Sequence, residues 1–327
     1  MYNILVISQI SIAGALIIKG LAEGFKALGN NIMMFDVREL DYYAVKSFKP
    51  DFAIGYDYAQ FVHPEAEKII KELNIPVIHY FADDPNSDFA HSGNKELIDK
   101  LKHSSGTVFC WDRQYLDTFK NKRFYLPLGV NPDLYTVNYY DKLDLDISFV
   151  GRPLTLYRQI VLSSIVINFP GKLNIYSYEK HFETSVKEIE KLELLKGEQL
   201  ELYKNSYVRF LNTEKELAQV YSSSKIVLNI TMQQGLSSMN YRVLEVLASG
   251  GFLLTDFKED TAEYFKSNGD LVFYIDIRDM IEKIGFYLEN EDQRVAIASH
   301  GKNTALQNHS FKQRAFEISE KLSDILT

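Results

Sequence analysis

Twelve short apolar runs, most of them separated by amphipathic stretches, constrain this chain more than any other feature. In the first half they are "NILVIS", "NIMMFDV", "DFAIGY", "PVIHYF", "TVFCW" and "RFYLPL". In the second half they are "DISFVG", "LNIYSY", "YVRFL", "KIVLNI", "GFLLTD" and "LVFYID". Short apolar strands alternating with helical segments are the pattern of parallel α/β layers. Between the first two runs, Leu16, Ile17, Leu21, Phe25 and Leu28 recur at helical spacing, and Gly29-Asn30 marks the end of that helix. The pattern restarts after "DLYTVNYYDKLDLD", residues 133 to 146. The expected architecture is therefore α/β, with two Rossmann-like domains facing each other across a cleft, and 327 residues suffice for two cores. The expected domains are residues 1–140 and 141–310.

Charge and residue usage exclude several function classes. Residues 1–140 hold 14 Lys/Arg against 17 Asp/Glu and the remainder 22 against 27, for a net charge of −8. Neither half has the basic excess that a sequence-independent grip on nucleic acid requires. One cysteine, Cys110, allows no internal disulfide and builds no zinc site, and the seven histidines include no i, i+4 pair. "DLD" at Asp144 to Asp146 has the Asp-x-Asp form of a metal-bound nucleotide-sugar site, but it also reads as a charged linker into the next strand. No metal and no bound cofactor is expected. No run approaches the roughly 20 apolar residues of a membrane span, and a cytoplasmic location is expected. Neither a G-x-G-x-x-G nor a P-loop motif occurs.

In parallel sheets ligands bind beyond the carboxyl ends of the strands. "KIVLNI" leaves through "TMQQGLSS" into the helix "NYRVLEVLA", which places its start near Ser237 or Ser238. Gly235, Ser237, Ser238 and Asn240 would offer backbone N–H groups and the helix dipole to an anion such as a diphosphate. Arg242 and Glu245 fall on one stripe of this helix, Arg242 within reach of a phosphate and Glu245 of ribose hydroxyls. The same two residues also fit an ordinary i, i+3 ion pair. In the first half, Asp83 and Asp84 of "HYFADDPNSD" end an apolar strand, where a carboxylate can act as general base, although "DDPN" is also good turn chemistry. Gly14, expected in the loop after the first strand, would let backbone approach a phosphate. His79 reads more simply as a satisfied core histidine than as a catalyst.

From about residue 147 to 321 the chain resembles the donor-binding domain of GT-B glycosyltransferases, in particular the family of the spore-maturation protein CgeB and its glycosyltransferase relatives. "SKIVLNI", "NYRVLEVLASGGFLLTD" and "HSFKQRAFEI" carry the resemblance in that order, and "IPVIHYFADDP", "VFCWDRQY" and "YLPLGVNPDLY" add looser support from the first half. The resemblance implies transfer of a sugar from a nucleotide-diphosphate sugar, with a UDP-sugar the expected donor. The expected acceptor is a glycan, a glycoprotein or a small molecule, in bacterial surface-glycan or glycoprotein synthesis. Glu245 matches the second glutamate of the family's Glu-x7-Glu pattern, and the first falls on Ser237, so that half is absent. Gly151-Arg152 resembles the Gly-Arg after the first donor-domain strand, and Arg158 lies where a second cation meets the diphosphate. A terminal helix from residue 311 to 327 is expected to cross back onto the first domain. Two other readings share the fold: an epimerase of nucleotide sugars, and a non-catalytic protein that binds a sugar nucleotide.

Overall fold

A computed structural model describes residues 1–8, 12–86, 94–135, 144–231 and 235–326. The expected boundary at 140/141 falls on residues 136–143, outside the described residues. The first half contributes β1 (Asn3–Ser8), α1 (Ile12–Ala27), β2 (Asn31–Asp36), α2 (Tyr42–Phe48), β3 (Phe52–Tyr56), α3 (Pro64–Glu72), β4 (Val77–Phe81), α4 (Lys95–Lys102), β5 (Thr107–Cys110) and β6 (Arg123–Tyr125). These strands form one parallel sheet in the order β2-β1-β3-β4-β5-β6.

The second half contributes β7 (Leu145–Val150), α5 (Leu156–Asn168), β8 (Leu173–Tyr176), α6 (Glu179–Lys191), α7 (Glu198–Asn205), β9 (Tyr207–Arg209), α8 (Glu214–Ser223) and β10 (Ser224–Asn229). It continues with α9 (Tyr241–Ala248), β11 (Leu253–Asp256), α10 (Glu259–Tyr264), β12 (Val272–Tyr274), α11 (Ile277–Glu289) and α12 (Glu291–Asn308). Its sheet is also parallel, in the order β12-β11-β10-β7-β8-β9. All twelve apolar runs of the sequence become strands. Those in the middle of the sheets are buried on both faces, which is why they lack polar alternation.

The chain then returns. α13 (Phe311–Ser319) and α14 (Leu322–Ile325) share the apolar stripe Phe311, Ala315, Ile318, Leu322 expected of a single helix, broken into two at Glu320-Lys321. α13 packs along α1 of the first domain, as the crossing helix of the expected fold does. The seat is made by glycine: a methyl group at Gly20 would overlap the Phe311 ring, and one at Gly24 would lie 2.5 Å from the Phe311 carbonyl oxygen. A bridge pairs Val130 with Ser310, through Val130 N–H to His309 O (2.9 Å) and Phe311 N–H to Val130 O (3.1 Å). Arg314 is fully buried here and donates from Nε to Leu128 O (3.1 Å) and from Nη1 to Glu317 (2.7 Å). One contiguous apolar cluster runs from the first sheet through Tyr135 and Phe311 to Val243 and Leu247 of α9. The two domains therefore share part of a core.

Because a backbone atom is what a side chain at position 24 would strike, Gly24→Ala should cost about 1–3 kcal/mol, the usual range for overpacking, and lower the thermal midpoint. A midpoint equal to that of the wild type would show that the seat of α13 is not close-packed.

Two histidines are buried in this framework. His79 sits in β4 against Gln60 and the Asp57 carbonyl, and burial lowers its pKa to about 4. His309 lies at the crossing, where burial and then Arg314 lower its pKa to about 3. Each binds a proton near 6.5 when unfolded but not when folded, so their contribution is complete above about pH 6.5 and shrinks as pH falls toward 4. Each removes about 1.4 kcal/mol per pH unit in that window. His79→Gln should therefore lose less stability than the wild type between pH 6.5 and 4 in denaturant titrations; parallel losses would mean that His79 is protonated in the folded protein.

Candidate active site

The strand orders locate two crevices. In the first sheet the order reverses between β1 and β3, and in the second between β7 and β10. Ligands of open parallel sheets sit outside the carboxyl ends of strands at such points. Of the expected donor residues, Arg158, Asn240 and Arg242 come together at the second crevice, with Arg152 beside them.

Beyond β7 the chain turns at Gly151, whose φ of +148° suits glycine, and a Cβ there would lie 3.1 Å from Arg242 Nη2. Arg152 follows and is exposed. Thr155 then caps α5, its hydroxyl accepting from Arg158 N–H at 3.3 Å. This places Arg158 under the crevice. Its Nε and Nη2 donate to Ile230 O (3.2 and 2.6 Å), just past β10, and Nη1 donates to Arg152 O (3.0 Å). Burial, and then the charge of Arg242, push its pKa down to about 9. Arg242 reaches the same place from α9: Nη1 donates to Asn229 Oδ1 at 3.0 Å, while its buried Nε has no protein partner. Asn229 in turn exchanges amide hydrogen bonds with Asn240. Among the described residues, none of Arg152, Arg158 and Arg242 forms an ion pair. The charge of Arg242 and, more weakly, that of the exposed Arg152 act on the buried Arg158 guanidinium, and no described carboxylate forms an ion pair with any of the three.

Several expectations change. Helix α9 begins at Tyr241 with Asn240 at its N-cap position, not at Ser237 or Ser238. The N–H groups of Ser237 and Ser238, expected to face a diphosphate, donate instead to Asp112 Oδ2 at 3.0 and 3.2 Å, and Ser237 Oγ donates to Asp112 Oδ1 at 2.8 Å. A carboxylate from the first domain reaches these donors and satisfies them. Gly235 leads into this segment and packs so tightly that a Cβ would lie 2.8 Å from Ser238 Oγ. Met232, Gln233 and Gln234 of the same exit are outside the described residues. Gly14 is buried within α1 rather than placed in the loop before it, because the helix already begins at Ile12.

Arg242 and Glu245 do not pair with each other. Glu245 Oε1 accepts from the hydroxyl of Tyr135 at 2.8 Å, and Oε2 from that of Tyr221 at 3.5 Å. Burial raises the Glu245 pKa, opposed by Arg242 and by the two tyrosines. Asp146 spends its carboxylate on Lys225 (2.6 Å) and Lys172 (3.7 Å), the behaviour of a charged strand entry.

In the first domain Asp83 and Asp84 are half-buried beyond β4, and their carboxylates take part in the turn. Asp83 Oδ1 accepts from Asp84 N–H (2.9 Å), and Asp84 Oδ1 from Asn86 N–H (2.8 Å). Asp57, overlooked in the sequence, directly follows β3 beside the first crevice. Its backbone holds φ +50°, unusual for a residue other than glycine, and Oδ1 accepts from Ala82 N–H at 3.0 Å. Burial and Asp83 push its carboxyl well above the usual range. An acidic residue closing the buried run "FAIGYD" was the available signal. Asp112, at the end of "TVFCW", offered the same one.

A family model described as glycosyl transferase-like matches residues 178–320. An uncharacterized protein of Aquifex aeolicus is 26% identical over 127 residues, 38% of this chain and 32% of that protein, so the match spans about a third of that relative. Among solved structures, a glycosyltransferase from Rickettsia africae superposes with a TM-score of 0.67 at 16% identity, covering 100% of this chain and 99% of its own. Anabaena HepE in complex with UDP-glucose gives 0.71 at 12%, covering 98% and 99%. Sucrose-phosphate synthase from Thermosynechococcus elongatus gives 0.67 at 11%, covering 98% of each chain. The fold is that of GT-B glycosyltransferases.

Tyr135→Phe should destabilise the protein by roughly 1.5–3 kcal/mol, the range for a hydrogen bond to a charged group, because the half-buried Glu245 carboxylate keeps only its longer bond. Adding Glu245→Gln to that variant should recover part of the loss, since a neutral amide is cheaper to bury. Additive losses in urea titrations would show that the two side chains are not coupled.

Proposed function

We propose that this chain is a glycosyltransferase that moves a sugar from a nucleotide-diphosphate sugar, a UDP-sugar in the first instance, to a hydroxyl-bearing acceptor. The observation that carries this reading is the convergence of Arg158 and Arg242 at the β7/β10 crevice, with the exposed Arg152 next to Gly151, without an ion-pair partner for any of them among the described residues. Uncompensated cations held at one place are costly unless an anion completes them. A diphosphate has the charge and size to do so.

The chemistry uses the same groups. As the bond from the anomeric carbon to the diphosphate oxygen breaks, negative charge grows on the departing oxygen and positive charge on the sugar ring. Guanidinium groups fixed near that oxygen stabilise the transition state more than the ground state. In this reading the arginines supply the charge and no metal ion is needed. Asn240 and Asn229 hold Arg242 in place, and Glu245 is the group for ribose hydroxyls once its tyrosine contacts give way. The first domain takes the acceptor between its carboxyl strand ends, with Asp83 and Asp84 as the candidate bases. Support comes from the glycosyl transferase-like family match and from the UDP-glucose held by HepE on the same fold. Within that family we place the chain near the CgeB-like proteins, acting in the cytoplasm on bacterial surface glycan or glycoprotein.

A second reading, a sugar-nucleotide binder without turnover, is favoured by one observation: Ser237 stands where the resemblance calls for a glutamate and is engaged by Asp112. Incubation with radiolabelled UDP-sugars separates the two, since transfer or hydrolysis supports the enzyme and tight binding without turnover supports the binder.

Arg242→Ala should weaken binding of UDP by about 10- to 100-fold, the equivalent of hydrogen bonds to a charged group, and leave uridine nearly unaffected. Calorimetric titration of both ligands checks this; equal losses for the two would assign Arg242 a purely structural role.

A further inference from the structure

Asp112 lies in the first domain, two residues past the end of β5, yet three of its four side-chain hydrogen bonds go to the second domain. Oδ1 accepts from its own Gln114 N–H (2.9 Å) and from Ser237 Oγ, and Oδ2 accepts from the N–H groups of Ser237 and Ser238. The residue has no exposed surface, so these bonds work without competition from water. The bond to Gln114 fixes the carboxylate on its own side, capping the 3-10 turn Arg113–Thr118. Ser237 is held on its other side as well, its carbonyl accepting from Asp260 N–H at 2.9 Å. Two and four residues further along the chain stand Met239 and Tyr241, and between and beyond them Asn240 and Arg242, which belong to the arginine cluster. The path of the chain into that cluster is set from the opposite domain.

We propose that Asp112 is a positioning residue for the nucleotide site of the other domain: acting through Ser237 and Ser238, it holds Asn240 and Arg242 in the geometry that receives a diphosphate. The site is then complete only while the two domains are together. This rests on the reading of the crevice as a diphosphate site.

The chain carries its own reporter. Trp111 is the single tryptophan, it adjoins Asp112, and its ring lies 3.5 Å from where a Gly235 Cβ would stand. Its emission therefore reads the 235–238 segment directly. Asp112→Asn keeps the shape but turns an NH2 group toward backbone N–H donors, which should release that segment. Glu263→Ala is the control, since it removes the neighbouring ion pair with Arg113 (2.5 Å), which also joins the domains but has no hydrogen bond to residues 235–238 among the described residues. The expected result is that Asp112→Asn shifts Trp111 emission to the red and raises the Kd for UDP at least tenfold. Glu263→Ala should change emission little and the Kd less than twofold. Ser237→Ala, which removes one of the three cross-domain bonds, should fall between, and it carries the test if Asp112→Asn does not fold. Wild-type affinity in Asp112→Asn, or equal losses in Asp112→Asn and Glu263→Ala, would overturn the proposal. If the wild type itself does not bind UDP, the diphosphate reading fails, while the emission comparison still shows whether Asp112 holds the segment.

Discussion

The seating of Phe311 in the glycine notch of α1 is the contact on which the two-domain arrangement rests. Gly20 and Gly24 present bare backbone on one helix face, so α13 comes close enough for its first residue to bury ring and carbonyl together. Once α13 is seated, Val130 and Ser310 pair, and the outgoing and returning segments of the chain run side by side. Tyr135 on the outgoing side and Phe311 on the returning side both lie against α9, where Tyr241 stacks on Phe311 at 6.4 Å and Tyr135 bonds Glu245. Small residues in a first-domain helix thereby fix the place of a helix in the second domain. No single element does this alone.

The same placement explains where positive charge is left uncompensated in a chain whose net charge is −8. The described carboxylates nearest the crevice form no ion pair with its arginines, and of them the charge of Asp256 offsets part of that on Arg158. Asp256 accepts from Thr231 N–H and Oγ1 at 2.9 and 2.8 Å, and Asp112 accepts from the serines. Arg158 is held by carbonyl oxygens, which solvate a cation without cancelling its charge. A desolvated guanidinium beside a second guanidinium raises the potential at the crevice well beyond what either would do at the surface.

Much of the fold was legible because parallel strands buried on both faces announce themselves as apolar runs, and all twelve did. The arginines at the β7/β10 crevice were legible for a related reason: the rule that ligands lie at strand ends turns "FVGR" and "NYR" into candidates once the strands are known. What the sequence hid was pairing across long separations. Asp112 and Ser237 are 125 residues apart, and Tyr135 and Glu245 are 110 apart. No periodicity reports such a contact, and only the packed domains bring the groups within 3 Å. Likewise the start of α9 was misplaced because serine is a good N-cap in isolation. Here both serines have a better acceptor in a buried carboxylate, so the helix begins three or four residues later at Tyr241.

That result also accounts for a charged pair on a helix with so apolar a face. Arg242 and Glu245 are one turn apart on α9, close enough for an ordinary ion pair, yet each turns to a different partner. Arg242 serves the β7/β10 crevice through Asn229, and Glu245 serves the segment between the domains through Tyr135. A helix of eight residues cannot bend between two positions this close, so a displacement felt at one is felt at the other. If Tyr135 withdrew, the Glu245 carboxylate would lose its shorter hydrogen bond while still desolvated, and Arg242 would be the nearest group able to offset its charge. The position of the interdomain segment and the orientation of the crevice arginine are in this way two settings of one short helix.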